Sequence, residues 1–261
     1  MNYLFYRLVM FVNTSSKDDL NYTIADFILK NISAIANMNI VVFANTCHVS
    51  PASISRFCRK LGFDDYIHLR KECADFTSKK LSEYVNPDMY DRPQIATNTY
   101  LTKAANRILE QIDIIDLKEM DKLIEDMQKA SYISFFGSYF SHSIAQLIQG
   151  ALFTTGKYSI AKSDLDQQIK VAETMDSHAL AVVLSVRGAY LKGNRRLKNA
   201  LDKSKAKKVL ITANHDPRLK EEFDQVLYIS TSEDLYLGRH LLLSYCEILS
   251  TKYVSKFSET K

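Results

Sequence analysis

The stretch Val49-Ser50-Pro51-Ala52-Ser53-Ile54-Ser55-Arg56-Phe57-Cys58-Arg59-Lys60-Leu61-Gly62-Phe63 marks both of its own ends. Ser50 stands as a helix N-cap, Pro51 takes the first helical position, where its missing N–H costs nothing, and Gly62 supplies the exit. Successive helical residues turn by roughly 100°, which gathers Ile54, Phe57, Cys58 and Leu61 on one face and Ala52, Arg56 and Arg59 on the other. Ser53, Ser55 and Lys60 flank the outer face, and no acidic residue lies between Ser50 and Phe63. One short turn upstream, Ile40 to Thr46 supplies a preceding helix. That layout is expected of a helix-turn-helix reader of duplex DNA. Small residues admit the backbone to base edges, an arginine fork matches guanine, and Arg59 and Lys60 reach phosphates. A solvated basic face on a packed helix has the same composition; the local geometry separates the two.

Around this helix the apolar spacing stays helical. Leu4, Leu8 and Phe11 share a face, as do Ile24, Phe27 and Ile28; Val41, Val42 and Ala44 form a further apolar set, and Ile67 and Leu69 open another segment. Short helices on short turns predict a compact all-α module. The break comes at Val85 to Pro93, where two of only four prolines bracket a polar stretch. The expected division is residues 1–80 for this module, 81–100 for a linker and 101–261 for a second domain. That domain opens with helical segments at Leu101 to Ile112 and Leu117 to Lys129. Short apolar runs follow at Tyr132 to Phe136, Ala179 to Val186, Val209 to Thr212 and Val226 to Ile229, with a weaker one at Tyr158 to Ala161. Runs of this kind, separated by amphipathic stretches, predict strands buried on both faces of a parallel sheet. Leu235 to Phe257 reads as a long closing helix, and Leu237, Leu241, Ile248 and Leu249 as its candidate dimer stripe.

Composition sets the outer limits. With 46% hydrophobic and 25% charged residues and a net charge of +4, the chain is neither disordered nor collagenous. It has 7 glycines where about 18 are usual, so each is expected to hold a place few residues could fill. Its four cysteines form no CxxC pair, and no histidine stands at zinc-finger spacing, so neither a metal site nor a disulfide framework is expected. A reducing cytoplasm is the natural expectation. Arg7 interrupts the amino-terminal apolar run, and neither a membrane span nor a leader is expected. The scattered tyrosines and phenylalanines read as core.

Thr23-Ile24-Ala25-Asp26-Phe27-Ile28-Leu29-Lys30-Asn31, with Val49-Ser50-Pro51-Ala52-Ser53-Ile54 and Arg56-Phe57-Cys58-Arg59-Lys60-Leu61-Gly62-Phe63, resembles the helix-turn-helix domain of the RpiR/MurR transcriptional regulators over residues 20–75. Asn39-Ile40-Val41-Val42-Phe43-Ala44 departs from it, since the family tends to have a more polar scanning helix there. The resemblance implies DNA binding through Ser50, Ala52, Ser53, Ser55, Arg56, Arg59 and Lys60.

In that family the second domain is a sugar isomerase (SIS) domain, a mostly parallel, flavodoxin-like α/β fold that binds phosphosugars. Phe136-Gly137-Ser138-Tyr139-Phe140-Ser141 is similar to its phosphate loop F-G-x-G-x-S, with Tyr139 in place of the second glycine. Ser185-Val186-Arg187-Gly188-Ala189-Tyr190 is similar to S-x-S-G-x-T, with Arg187 and Tyr190 where a serine and a threonine belong. The implied ligand set is Gly137, Ser138, Ser141, Ser185, Arg187, Gly188 and Tyr190. Three readings stay open: another anionic sugar derivative, a weakened phosphosugar site, or a scaffold without ligand. The resemblance implies a regulator without cofactor or catalysis, held as a homodimer or homotetramer on a pseudo-palindromic operator and tuned by a sugar-derived effector. The enzyme alternative, an aldose–ketose isomerase using His142, lacks a placed companion acid in the sequence.

Overall fold

A computed structural model gives the structure of the chain and describes residues 3–78, 88–231 and 237–258. The chain divides into two compact units, Met1–Asn86 and Pro87–Lys261.

The first unit is helical throughout its described residues. Helices α1 (Tyr3–Thr14), α2 (Leu20–Lys30) and α3 (Ile32–Ile35) precede α4 (Ile40–Thr46), α5 (Pro51–Lys60) and α6 (Tyr66–Ser78). Side-chain caps start four of them: Asp19 accepts from the Asn21 amide, Asn39 from Val42, Ser50 from Ser53 and Asp65 from His68. Each cap satisfies an amide that a first turn leaves unpaired. Leu4, Leu8, Ile24, Ile28, Ile35, Phe43, Ile54 and Phe57 meet in one core. In α4 the apolar residues divide differently from the sequence expectation. Phe43, Ala44 and Cys47 are buried, whereas Val41 and Val42 are exposed, because a two-turn helix presents one buried stripe and these two fall on its far side. Ile67 of α6 is likewise exposed, while Leu69 and Cys73, one turn apart, face the core.

In the second unit α7 (Asp88–Asp91), α8 (Pro93–Leu109), α9 (Gln111–Ile114) and α10 (Leu117–Lys129) lead into β1 (Tyr132–Phe136). There follow α11 (Phe140–Phe153), β2 (Ser159–Ala161), α12 (Leu165–Thr174), β3 (Ala179–Leu184), α13 (Arg195–Lys203), β4 (Lys207–Thr212), α14 (Leu219–Glu222), β5 (Gln225–Tyr228) and α15 (Gly238–Phe257). The five strands pair in parallel in the order β2-β1-β3-β4-β5. Alternation along each strand feeds two cores. Ile133, Phe135, Leu180, Val182, Leu184, Val209 and Ile211 pack with α10, α11 and α15. Phe136, Ala181, Val183 and Leu210 pack on the other face with α12 and α13. In a sheet of this order the connections diverge between β1 and β3, which leaves a crevice beyond their carboxyl ends. Gly137 to Ser141 follows β1 and Ser185 to Tyr190 follows β3, so both loops lie at that crevice.

Two expectations are corrected. Of the segment read as a linker, 81–87 lies outside the described residues, 88–91 is helical and 93–100 forms the opening turns of α8. Pro93 starts this helix, and only Ala96 and Ala104 of it are buried, so no apolar stripe announced it. At the other end, residues 235 and 236 lie outside the described set and α15 begins at Gly238. Leu237, Leu241 and Leu249 are buried within their own unit, Leu241 and Leu249 in the core beneath the sheet. Only Ile248 of the proposed dimer stripe is exposed, because the stripe packs on the sheet.

Candidate nucleic-acid interface and ligand site

On α5 the segregation of residues is complete. Ile54, Phe57, Cys58 and Leu61 are at most 1% exposed, while Ser50, Ala52, Arg56, Arg59 and Lys60 are exposed and Ser53 and Ser55 half-buried. The outer face is partly ordered by its own hydrogen bonds. Ser50 and Ser53 hydroxyls lie 3.0 Å apart, and Arg56 Nη2 donates to Ser53 Oγ at 3.2 Å. The Ser55 hydroxyl turns back to the Pro51 carbonyl at 3.1 Å. Lys60 Nζ rests 5.0 Å from the centre of the Phe11 ring, so its ammonium leans towards α1. Arg59 and Lys60 sit in the last turn, where the helix dipole favours cations.

The turns on either side of α5 need left-handed backbone. Gly62 adopts φ +79, and a Cβ there would meet the guanidinium of buried Arg7 at 2.3 Å. Before α5, the non-glycine residue His48 adopts φ 54 in the turn from α4. Beneath the helix, burial raises the thiols of Cys47, Cys58 and Cys73, to about 11, 12 and 12, which leaves them as inert small apolar groups.

In the second unit, Gly137 is buried where β1 turns into α11. A Cβ on it would stand 2.8 Å from the Ser141 Cβ and 3.1 Å from the Leu184 carbonyl, so only glycine lets the β1 turn close against the end of β3. Tyr139, in the place of the second glycine, keeps a glycine-like backbone at φ 47 and caps α11 with 39% of its surface exposed. Ser138 and Ser141 are half-buried, with the Ser141 amide donating to the Ser138 carbonyl. In the β3 loop Gly188 has φ +63, and the Ser185 hydroxyl, buried, accepts from the Tyr190 amide at 3.3 Å. Arg187 is exposed, and its carbonyl is held by Asn214 Nδ2 at 2.7 Å.

Sequence reasoning missed the side chain that ties the two loops together. Gln168 of α12, 1% exposed, donates to the carbonyls of Gly137 and Lys162 and accepts from the Tyr190 hydroxyl. Asn194, also buried, holds the Tyr190 carbonyl at 2.7 Å. A glutamine directly before Ile169, which packs in the core with Ala172, was the available signal. His142 is buried in the first turn of α11, and burial lowers its pKa. Among the described residues no hydrogen bond joins it to a carboxylate, and no group of His, Cys, Asp or Glu could hold a metal. No helix among them is long and apolar enough to cross a membrane.

Residues 14–80 match the family described as "Helix-turn-helix domain, rpiR family". The HTH-type transcriptional regulator HexR of Pseudomonas aeruginosa is 26% identical over 184 residues, covering 67% of this chain and 62% of HexR. The Vibrio vulnificus NanR protein, solved in complex with ManNAc-6P, aligns at a TM-score of 0.53 with 19% identity, over 97% of this chain and 92% of that one. The sugar isomerase domain of an RpiR transcription factor from Sphaerobacter thermophilus aligns at 0.50 with 16% identity, over 60% of this chain and 88% of that one. Residues 14–80 thus carry a helix-turn-helix domain of the rpiR family, and the parallel sheet behind it has the fold of these sugar isomerase domains.

Proposed function

We propose that this regulator reads operator DNA through the outer face of α5 and answers to an anionic sugar derivative held beyond β1 and β3. The observation that carries the reading is the division of α5 into a buried apolar back and an exposed front of Ala52, Arg56, Arg59 and Lys60. Arg56, steadied by Ser53, is the base reader, and Arg59 and Lys60 engage phosphates. Ser50, Ala52, Ser53 and Ser55 line the end of α5 that enters the major groove. Two chains act as a homodimer in the cytoplasm, placing their α5 helices about 34 Å apart on a pseudo-palindromic operator.

For the effector, the amides at the start of α11 and the guanidinium of Arg187 favour an anion, a phosphate or a carboxylate on a sugar. NanR, of the same fold, was solved with a sugar phosphate, ManNAc-6P. Ser138, Ser141 and Ser185 supply hydroxyls, the Tyr190 oxygen, whose proton goes to Gln168, can only accept, and Gly137 and Gly188 keep the backbone close. The effector changes operator affinity because it binds one arrangement of the domains better than another. The site binds and does not isomerise: a buried His142 below its ordinary pKa, without a carboxylate partner among the described residues, is not a placed base.

The decisive experiment is fluorescence anisotropy on operator and random duplexes. Arg56→Ala is expected to weaken operator binding by about 1–3 kcal/mol and random binding less. Equal loss on both would reassign Arg56 to a phosphate. Ser141→Ala with Ser185→Ala is expected to abolish the effector response with operator affinity intact; a response that persists puts the effector elsewhere.

A further inference from the structure

A second cleft, of about 430 Å³, opens at the β5 edge of the sheet, two strands from β3. Its volume lies within the roughly 300–1,000 Å³ of small-molecule sites. Two of the residues that line it carry a polar atom with no partner among the described residues. The Tyr245 hydroxyl and Gln225 Oε1 are both buried and make no hydrogen bond, on side chains 1% and 5% exposed. The orientation of the Gln225 amide is set by Glu119, whose carbonyl and Oε2 accept from Nε2 at 2.8 and 2.7 Å. Its Oε1 is thus an acceptor awaiting a donor. Burial raises the Tyr245 phenol well above its ordinary range, so it stays protonated and offers a donor. Native folds complete such buried groups with a ligand or with water.

We propose that this cleft binds a neutral polyhydroxylated molecule, a sugar or polyol without phosphate, whose hydroxyls donate to Gln225 Oε1 and accept from the Tyr245 phenol. A hydroxyl both gives and takes a hydrogen bond, which suits one lone acceptor and one lone donor in the same cavity. Charge selects against an anion: Asp116, Glu119 and Asp224 line the cleft against a single ammonium, that of Lys220. Phe223 and Tyr228 also line the cleft. In charge preference this cleft is the opposite of the site beyond β1 and β3.

The test is saturation-transfer NMR with a thermal shift on the full chain, using D-glucose, N-acetylglucosamine and mannitol at about 1–10 mM. At least one neutral probe is expected to bind and raise Tm, and glucose 6-phosphate not to displace it. Tyr245→Phe removes one oxygen and is expected to weaken the probe roughly fivefold or more, while raising Tm without ligand. Ile114→Trp, bulking a half-buried wall of the cleft, is expected to abolish binding. Binding is expected to survive Ser141→Ala with Ser185→Ala, which separates this cleft from the effector site. No binding by any of the three probes would overturn the proposal, as would equal binding by wild type and both cleft variants. A higher Tm for Tyr245→Phe without sugar binding in wild type would mean that the cleft holds only water, and would also overturn it. So would loss of the neutral probe together with the effector response in the double serine variant, since the two sites would then be one.

Discussion

The phenol of Tyr190 donates to Oε1 of Gln168 at 2.8 Å, and the same amide's Nε2 donates to the Gly137 and Lys162 carbonyls at 3.1 and 2.8 Å. One side chain of α12 thus fixes the loop after β1 to the loop after β3. Tyr190 stands where the family pattern has a threonine, and the longer residue spends its hydroxyl on this brace.

Gln168→Ala removes the amide that serves the buried Gly137 carbonyl, the Lys162 carbonyl and the half-buried Tyr190 phenol. The second unit is expected to lose about 1–3 kcal/mol in urea denaturation. Tyr190→Phe, which leaves only the Gln168 oxygen unmet, is expected to cost less. Equal costs would mean that the carbonyl bonds to Gly137 and Lys162 carry no weight.

Gly62 has two independent reasons to be glycine: φ +79, and the Arg7 guanidinium 2.3 Å from where a Cβ would be. Gly62→Ala must strain the backbone and push aside a side chain that is 9% exposed and sits over the Phe63 ring. A loss of about 1–3 kcal/mol in the first unit is expected. Thermal melts of wild type, Gly62→Ala and the double variant with Arg7→Ala separate the causes: if the clash dominates, the second substitution recovers part of the loss.

Tyr139 at φ 47 carries backbone strain of about 1–3 kcal/mol that glycine would not. Ordinarily Gly is worse than Ala, by roughly 0.5–1 kcal/mol. Here the order is expected to reverse, with Tyr139→Gly more stable than Tyr139→Ala in the same denaturation assay. Tyr139→Gly also restores the family's phosphate-loop pattern and is expected to strengthen binding of sugar phosphates. An Ala variant at least as stable as the Gly variant would show that the loop relaxes around the side chain.

Much of this architecture was legible because its signals are local. The α5 boundaries follow from Ser50, Pro51 and Gly62, and its buried face from Ile54, Phe57, Cys58 and Leu61. The run Tyr132 to Phe136 coincides with β1, since a strand buried on both faces shows as an unbroken apolar run. What escaped depends on tertiary neighbours. The α8 turns before Leu101 carry exposed side chains such as Ile95 and few buried ones, so no period marked them. The α15 stripe is apolar whether it meets a second chain or its own sheet, and sequence does not distinguish the two. Gln168 lies far along the chain from both loops it joins, and only the crossover from β2 to β3 brings it between them.

His142 gives the second unit a pH dependence of defined sign. Burial holds its imidazole below the ordinary 6.5, so the unfolded chain takes up this proton at a higher pH than the folded one. Well above 6.5 the ring is neutral in both states and contributes no slope. As the pH falls from there towards the depressed folded value, the unfolded state binds more protons and stability declines; below that value both states are charged and the slope vanishes. His142→Gln removes the titration while keeping a polar side chain of similar length. Urea midpoints collected from pH 7.5 downward are expected to fall more steeply for wild type than for this variant. Parallel curves would mean that His142 opens to solvent before it protonates, and that the crevice edge at the start of α11 is looser than its 9% exposure implies.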